Sequence, residues 1–174
     1  MKTPASNTSE TRFNASLDNL SKVISWAFPF IIATIVMVQY YYAYDSAFPV
    51  FMLLFLSIIY LFALVFAPQY YVVHTEGIRI NRIFKNVNIS KNNIQHIEII
   101  PREKISNAWR LFGVGGLFGY YGLFYNSQMG TMTFYATRTS NAILIKTTKN
   151  QKIILTPDTP EHFLAKYQKI NKSE

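Results

Sequence analysis

Two long apolar runs dominate the first third of the chain. They span residues 23–43 and 47–67, and their only charged residue, Asp45, lies in the short break between them. A run of about 21 residues forms roughly 31 Å of helix, which matches the hydrocarbon thickness of a bilayer. Neither run has the polar face, repeating every 3.6 residues, that a soluble helix shows. The pattern predicts a transmembrane helical hairpin over residues 23–67.

From Tyr70 onward, apolar and polar residues alternate, as in half-buried strands. Tight turn signals join most of the alternating segments, for example at Glu76 and Gly77 and at Lys149 and Asn150. Such turns connect neighbouring antiparallel strands. The pattern therefore predicts a seven-stranded antiparallel β-barrel or sandwich, with strands at residues 70–75, 78–81, 87–89, 97–99, 131–137, 143–145 and 153–155.

The last predicted element is an amphipathic helix. Thr159 is a suitable N-cap, and Pro160 suits the first helical position. One stripe of this helix is apolar and consists of Phe163, Leu164, Tyr167 and Ile170. An apolar stripe needs a partner surface. We expect the helix to cap the open end of the barrel.

These patterns predict a membrane-anchored α+β protein with four segments. Residues 1–22 are expected to be a disordered tail, because the first 20 residues are rich in Ser, Thr and Asn and have no periodicity. The hairpin follows at residues 23–67, with helices at about 23–43 and 47–67. The β domain takes residues 69–170, and residues 171–174 form a short tail.

Charge predicts the orientation of the hairpin. Of the net charge of +8, residues 68–174 carry 14 Lys or Arg against six Asp or Glu. The break between the apolar runs has no Lys or Arg, whereas Lys22, Arg79, Arg82 and Lys85 lie near the other two ends. The positive-inside rule then predicts a multi-pass membrane protein with both termini in the cytoplasm. The Asn-, Lys- and Ile-rich composition is typical of a bacterial chain, so the expected location is the bacterial inner membrane.

The same basic residues are candidates for lipid contact. Arg79, Arg82 and Lys85 lie on a predicted strand and the turn after it. A basic domain beside an anionic leaflet is attracted to it, so these three residues are candidate anionic-lipid contacts. The alternative is an ordinary solvated strand face, and the sequence leaves both interpretations open.

Seven strands followed by one C-terminal helix is also the layout of a pleckstrin-homology-like domain. The chain resembles the bacterial PH-domain proteins over about residues 69–170, in the segments YYVV (70–73), GIRI (77–80), IQHI (94–97), RLFGVGG (110–116), FYAT (134–137), ILIKT (143–147) and LTPDTPEHF (155–163). A transmembrane hairpin often precedes the domain in that family, whose biochemical role is largely unassigned. Eukaryotic relatives bind inositol-lipid headgroups through a basic cluster between the first two strands. The corresponding turn here, Glu76 and Gly77, is short and acidic, so the resemblance does not imply that site.

One segment of the domain, residues 107–130, is unusual because it holds six of the seven glycines, with aromatic residues between them. Three interpretations remain open. The aromatic rings fill the barrel while glycines permit bulges; or they lie in the headgroup layer, with an arginine on phosphates; or they form a protein contact. The candidate membrane or partner contacts are Trp109, Arg110, Phe112, Phe118, Tyr120 and Tyr121.

The sequence offers little catalytic chemistry. Cysteine is absent, which excludes disulfides and thiolate zinc sites, and His74, His96 and His162 lie far apart in the sequence. Neither a nucleophile elbow nor a phosphate-binding P-loop occurs. We expect no enzymatic activity, no cofactor, no metal and no nucleic-acid partner.

The leading hypothesis is a scaffold or a membrane-surface or lipid-sensing module. Its partners would be the lipid bilayer and either another protein or further copies of this chain. The alternative is an accessory subunit of a larger transport or envelope-stress complex that docks through the barrel.

Overall fold

The computed structural model describes residues 10–42 and 47–172. Within these residues the helices are α1 (Asn19–Tyr42), α2 (Phe48–Phe66), α3 (Glu103–Ser106) and α4 (Pro160–Lys172). The strands are β1 (Thr11–Asn14), β2 (Pro68–His74), β3 (Gly77–Arg82), β4 (Val87–Ser90), β5 (Ile94–Ile100), β6 (Trp109–Gly116), β7 (Gly119–Asn126), β8 (Gly130–Ala136), β9 (Ala142–Thr147) and β10 (Lys152–Leu155).

The two predicted apolar helices are present as α1 and α2. By length and composition both could cross a membrane, and most of their surface is exposed. They pack together through Phe28 and Tyr60, whose stacked rings lie 5.6 Å apart. α1 begins at Asn19, four residues before the apolar run, and Pro29 lies inside it rather than at its start. Asp45, in the predicted break, lies outside the described residues.

All seven predicted strands form, and together with β1, β6 and β7 they make two sheets. One sheet has the order β1-β2-β3-β4 and the other β5-β9-β10-β8-β7-β6. Every pairing is antiparallel except that of β8 with β10, which is parallel. The barrel prediction is wrong, because β4 and β5 belong to different sheets and the sheets do not close into one. The sandwich alternative is the observed architecture.

The core lies between the two sheets and extends under α4. Phe163 of α4 is fully buried and packs edge-on against Phe13 and Tyr71, with ring centroids 5.0 and 6.4 Å away. The buried stripe of α4 includes Tyr167 and Ile170, as predicted. A second apolar cluster on the six-stranded sheet includes the stacked rings of Phe124 and Phe134.

The N-terminal segment corrects the prediction of disorder over residues 1–22. Residues 11–14 form β1 and pair with β2, and Asn19 already belongs to α1. Phe13 is buried in the core, which provides the energy that orders this short strand. The domain therefore includes a strand that precedes the helices. Residues 1–9 lie outside the described part of the chain.

Candidate functional site

The glycine-rich segment forms a β-hairpin of β6 and β7. Gly113 pairs with Gly122, and Gly116 with Gly119, all at positive φ between +112° and +121°. A Cβ atom on Gly122 would lie 2.3 Å from the Phe112 carbonyl oxygen, so the strands approach too closely there for any side chain. The glycines thus permit a closer approach of the two strands than residues with side chains would allow.

The aromatic residues of this hairpin divide between two environments. Tyr121 and Phe124 are buried, and Phe118 and Tyr120 are half-buried. Trp109 and Phe112 are 77 % and 79 % exposed, and Arg110 is also exposed. Phe124 belongs to the second apolar cluster, as the core interpretation expects, but that interpretation does not explain the exposed rings of Trp109 and Phe112.

The turn of this hairpin sits on the domain-side ends of α1 and α2. The Phe118 N–H donates a hydrogen bond of 2.8 Å to Ser25 Oγ in α1. The ring of Phe118 lies 5.1 Å from that of Tyr60 in α2. Three residues further along the chain, the Tyr121 hydroxyl donates to the Ala63 carbonyl oxygen of α2. These contacts fix the hairpin to both helices.

Asp18 fixes the start of α1 to the six-stranded sheet. Its carboxylate accepts hydrogen bonds from the Ser21 N–H (2.8 Å), the Thr139 N–H (3.2 Å) and the Tyr120 hydroxyl (3.2 Å). Partial burial alone would raise the pKa of Asp18, but these hydrogen bonds outweigh it and lower the pKa below 3.8. A carboxylate at this position also suits the positive end of the helix dipole.

A second carboxylate, Asp158, holds the segment between β1 and α1. It accepts hydrogen bonds from the N–H (2.9 Å) and the hydroxyl (2.7 Å) of Ser16, and it pairs with Arg138. Burial opposes ionisation, but the Ser16 hydrogen bonds and the Arg138 charge lower the pKa of Asp158. The two carboxylates together tie α1 to the domain.

A cleft of about 890 Å³ opens between the helix ends and the six-stranded sheet. Its helical wall is formed by Ile24, Phe28, Ile58, Ile59, Phe62, Ala63 and Phe66. Its sheet wall includes Phe112, Val114, Tyr121, Thr133 and Tyr135, together with Gly113, Gly115 and Gly122. Among the described residues that line the cleft, the charged ones are Arg82 and Arg110. The cleft is thus an apolar space with two cations on its lining.

The two arginines are positioned differently. Arg82 donates from Nε to the Lys85 carbonyl oxygen (2.6 Å), and its guanidinium carbon lies 5.6 Å from the ring centroid of Phe66. The Arg110 guanidinium lies over Gly115, 3.4 Å from where a Cβ atom would be. Both side chains leave donors available to a ligand, because each guanidinium carries five N–H groups.

The predicted basic run is divided by the structure. Arg79 forms an ion pair with Glu10 at 3.6 Å, and the Lys85 side chain is exposed outside the cleft lining. Only Arg82 of this run lines the cleft, where it joins Arg110 from the glycine-rich segment. Sequence spacing gave no signal for this combination, because 28 positions separate the two arginines. The helical wall was also missed, because its residues read only as part of an apolar run.

The described residues thus form an open sandwich with a C-terminal helix, and an apolar cleft with two arginines lies beside it. Residues 69–171 match the family model described as a bacterial PH domain. The chain belongs to this family, and membership indicates a module that binds lipid or protein. Comparisons with curated proteins and with solved structures found no significant match.

The close approach of β6 and β7 predicts a stability difference between two Gly→Ala variants. Gly122→Ala would put a Cβ atom at positive φ against the Phe112 carbonyl, so we expect it to cost at least about 2 kcal/mol of folding free energy. Gly115→Ala is the matched control, since its Cβ atom would meet only the movable end of Arg110. Thermal unfolding of the detergent-purified protein measures both. Equal midpoints would contradict this account of the hairpin.

The lowered pKa values of Asp18 and Asp158 predict acid sensitivity. Their ionised forms stabilise the fold above the unfolded pKa of about 3.8, and this contribution is lost as the pH falls through the lower folded values. We expect the unfolding midpoint to fall between pH 5 and pH 3. The Asp18→Asn, Asp158→Asn double variant should start lower at pH 7 and fall less.

Glu76→Gln is the control for this pH series, because that side chain is exposed in a turn. It should follow the wild-type profile throughout. If the double variant showed the same pH dependence as the wild type, the two carboxylates would not be the source of the acid sensitivity.

Proposed function

We propose that this protein is a non-enzymatic module of the bacterial inner membrane, in which α1 and α2 cross the bilayer and the PH-like domain works at the cytoplasmic surface as a scaffold or lipid sensor. The observation that carries the proposal is the seating of the β6–β7 hairpin on the helix ends. This contact puts the outward aromatic residues Trp109 and Phe112 on an element attached to the proposed spans.

Helix length supports this arrangement. α2 has 19 residues, roughly 28 Å of helix, which is close to the hydrocarbon thickness of about 30 Å. It therefore needs its whole length to cross, including Tyr60 and Ala63, which contact the hairpin. Tyr60 lies six residues, roughly 9 Å, before the end of α2, so the hairpin turn at residues 117–118, which contacts Tyr60, would reach below the headgroup layer.

Charge supports the cytoplasmic orientation. Lys22 lies in the first turns of α1, and Arg82 and Arg110 line the cleft at the same end of the helices. Residues 43–47, which join the two helices, contain no Lys or Arg. The resulting bias favours a cytoplasmic domain and cytoplasmic termini, with the basic domain facing the anionic leaflet.

A second candidate function is docking within a larger membrane assembly. The observation that favours it is that β6 is an edge strand of the six-stranded sheet and exposes Trp109, Leu111 and Phe112. An edge strand can pair with a strand of a partner. In this function the same aromatic residues would contact protein instead of lipid.

Single cysteines test the proposed topology, since the natural chain has none. Ser46→Cys, between the helices, should react with a membrane-impermeant maleimide in spheroplasts. Lys149→Cys, in the exposed β9–β10 turn, should react only after the membrane is disrupted. The opposite labelling pattern would reverse the orientation, and labelling of both cysteines in sealed spheroplasts would mean that the hairpin does not span.

Tryptophan quenching separates the two candidate functions. Trp26 and Trp109 are the two tryptophans of the chain, so Trp26→Phe leaves Trp109 as the sole fluorophore. In vesicles of brominated phosphatidylcholine, Trp109 at the interface should lose most of its emission. The control is Lys149→Trp in a chain that also carries Trp26→Phe and Trp109→Phe, which should stay bright. An unquenched Trp109 would favour protein docking.

A further inference from the structure

We propose that the cleft between the helix ends and the six-stranded sheet binds one anionic phospholipid, with an acyl chain against the apolar walls and the phosphate on Arg82 and Arg110. This inference rests on the proposed membrane placement of α1 and α2 and adds a specific ligand to it. It concerns a surface between the helices and the sheet, away from the Glu76 turn that joins β2 and β3.

The size and lining of the cleft fit an acyl chain. Its volume of about 890 Å³ lies within the range of roughly 300–1,000 Å³ that is usual for small-molecule sites. Aliphatic and aromatic side chains line it on the helical side, among them Phe28, Ile59 and Phe62. Val114 and the bare backbone of Gly113 and Gly115 line the opposite side. Such a space favours a slender apolar ligand over a polar one.

The charges in the cleft favour a lipid with an anionic headgroup. None of the seven acidic residues in the described ranges lines the cleft, and neither arginine forms an ion pair with any of them. The hydrogen bond from Arg82 Nε to the Lys85 carbonyl fixes the direction of that side chain. Arginine binds phosphate oxygens with paired, charge-assisted hydrogen bonds, so two guanidinium groups favour an anionic lipid over a zwitterionic one.

The location of the cleft provides a route for the lipid. The cleft extends from Phe66, the last residue of α2, to Ile58, about 12 Å further along the helix at 1.5 Å per residue. With α2 across the bilayer, Arg82 lies beside Phe66 at the headgroup end of the helix, and the apolar walls continue from there toward the hydrocarbon core. A lipid of the cytoplasmic leaflet can therefore enter sideways without exposing its chain to water.

Native mass spectrometry of the full chain in mild detergent tests the proposal. The probes are phosphatidylglycerol, phosphatidylcholine of the same chain length, and glycerol 3-phosphate, which has the phosphate without a chain. We expect saturable binding of one phosphatidylglycerol per chain, at least about tenfold weaker binding of phosphatidylcholine, and no retention of glycerol 3-phosphate. Retention of glycerol 3-phosphate alone would identify a free-phosphate site and overturn the lipid proposal.

Two pairs of variants locate the binding. Arg110→Gln should lose the preference for phosphatidylglycerol, whereas Arg102→Gln removes an equal charge outside the cleft lining and should keep it. Val114→Trp fills the cleft and should abolish lipid retention. Val38 lies on the exposed surface of α1, so Val38→Trp should leave lipid retention unchanged. An unfolding midpoint and helix content like those of the wild type confirm that each variant is folded.

Three results would overturn the proposal. They are non-saturable binding without headgroup preference, unchanged retention in Val114→Trp, and a lipid-free dimer in which a second copy fills the cleft. Failure here is distinguishable from failure of the proposed function. In the first two cases the maleimide labelling would still show that the hairpin spans the membrane, so only the lipid proposal would fail. If the hairpin does not span, the labelling experiment itself would show it, whether or not lipid binds.

Discussion

A single residue, Ala67, separates α2 from β2, and this junction constrains the rest of the molecule. Ala67 is 1 % exposed and has an extended conformation, so α2 passes directly into the four-stranded sheet without a flexible linker. The other helix, α1, is attached to the domain by Asp18, whose carboxylate both caps α1 and contacts the six-stranded sheet. With both helices fixed near their domain-side ends, the domain has a defined orientation relative to the helix axes. A tether of flexible residues would give no such orientation.

The glycine-rich hairpin follows from this constraint. The strands β6 and β7 carry residues 117–118 to Ser25 and Tyr60, and the paired glycines at positive φ let the two strands approach closely. Gly113 and Gly122 of these pairs line the cleft, as does Gly115, where an added Cβ atom would meet the Arg110 side chain. One sequence feature therefore has two consequences, because a backbone without side chains can both approach a neighbouring strand closely and leave a space beside the helices.

Patterns of local period predicted most of the fold. The apolar runs gave α1 and α2, alternation gave seven strands, and the apolar stripe with Thr159 and Pro160 gave α4. β6 and β7 were missed as strands because their bulges and glycines interrupt the period of two that identifies a strand. β1 was missed because it has four residues and only one of them, Phe13, is buried. Arg82 and Arg110 line the same cleft only because of the tertiary structure, which a local sequence pattern does not predict.

An empty cleft lowers the stability of the fold. Apolar walls that face an open space lose the dispersion contacts that close packing provides, and the exposed outer strand with Trp109 and Phe112 adds further unpartnered apolar surface. Collapse of the cleft is resisted, because Asp18, Phe118 and Tyr121 hold the helices and the sheet at fixed positions. In the proposed membrane placement, the acyl chain of a lipid would restore the missing contacts while its phosphate neutralises Arg82 and Arg110. The same attachments that fix the orientation of the domain therefore also keep a lipid-sized space open beside it.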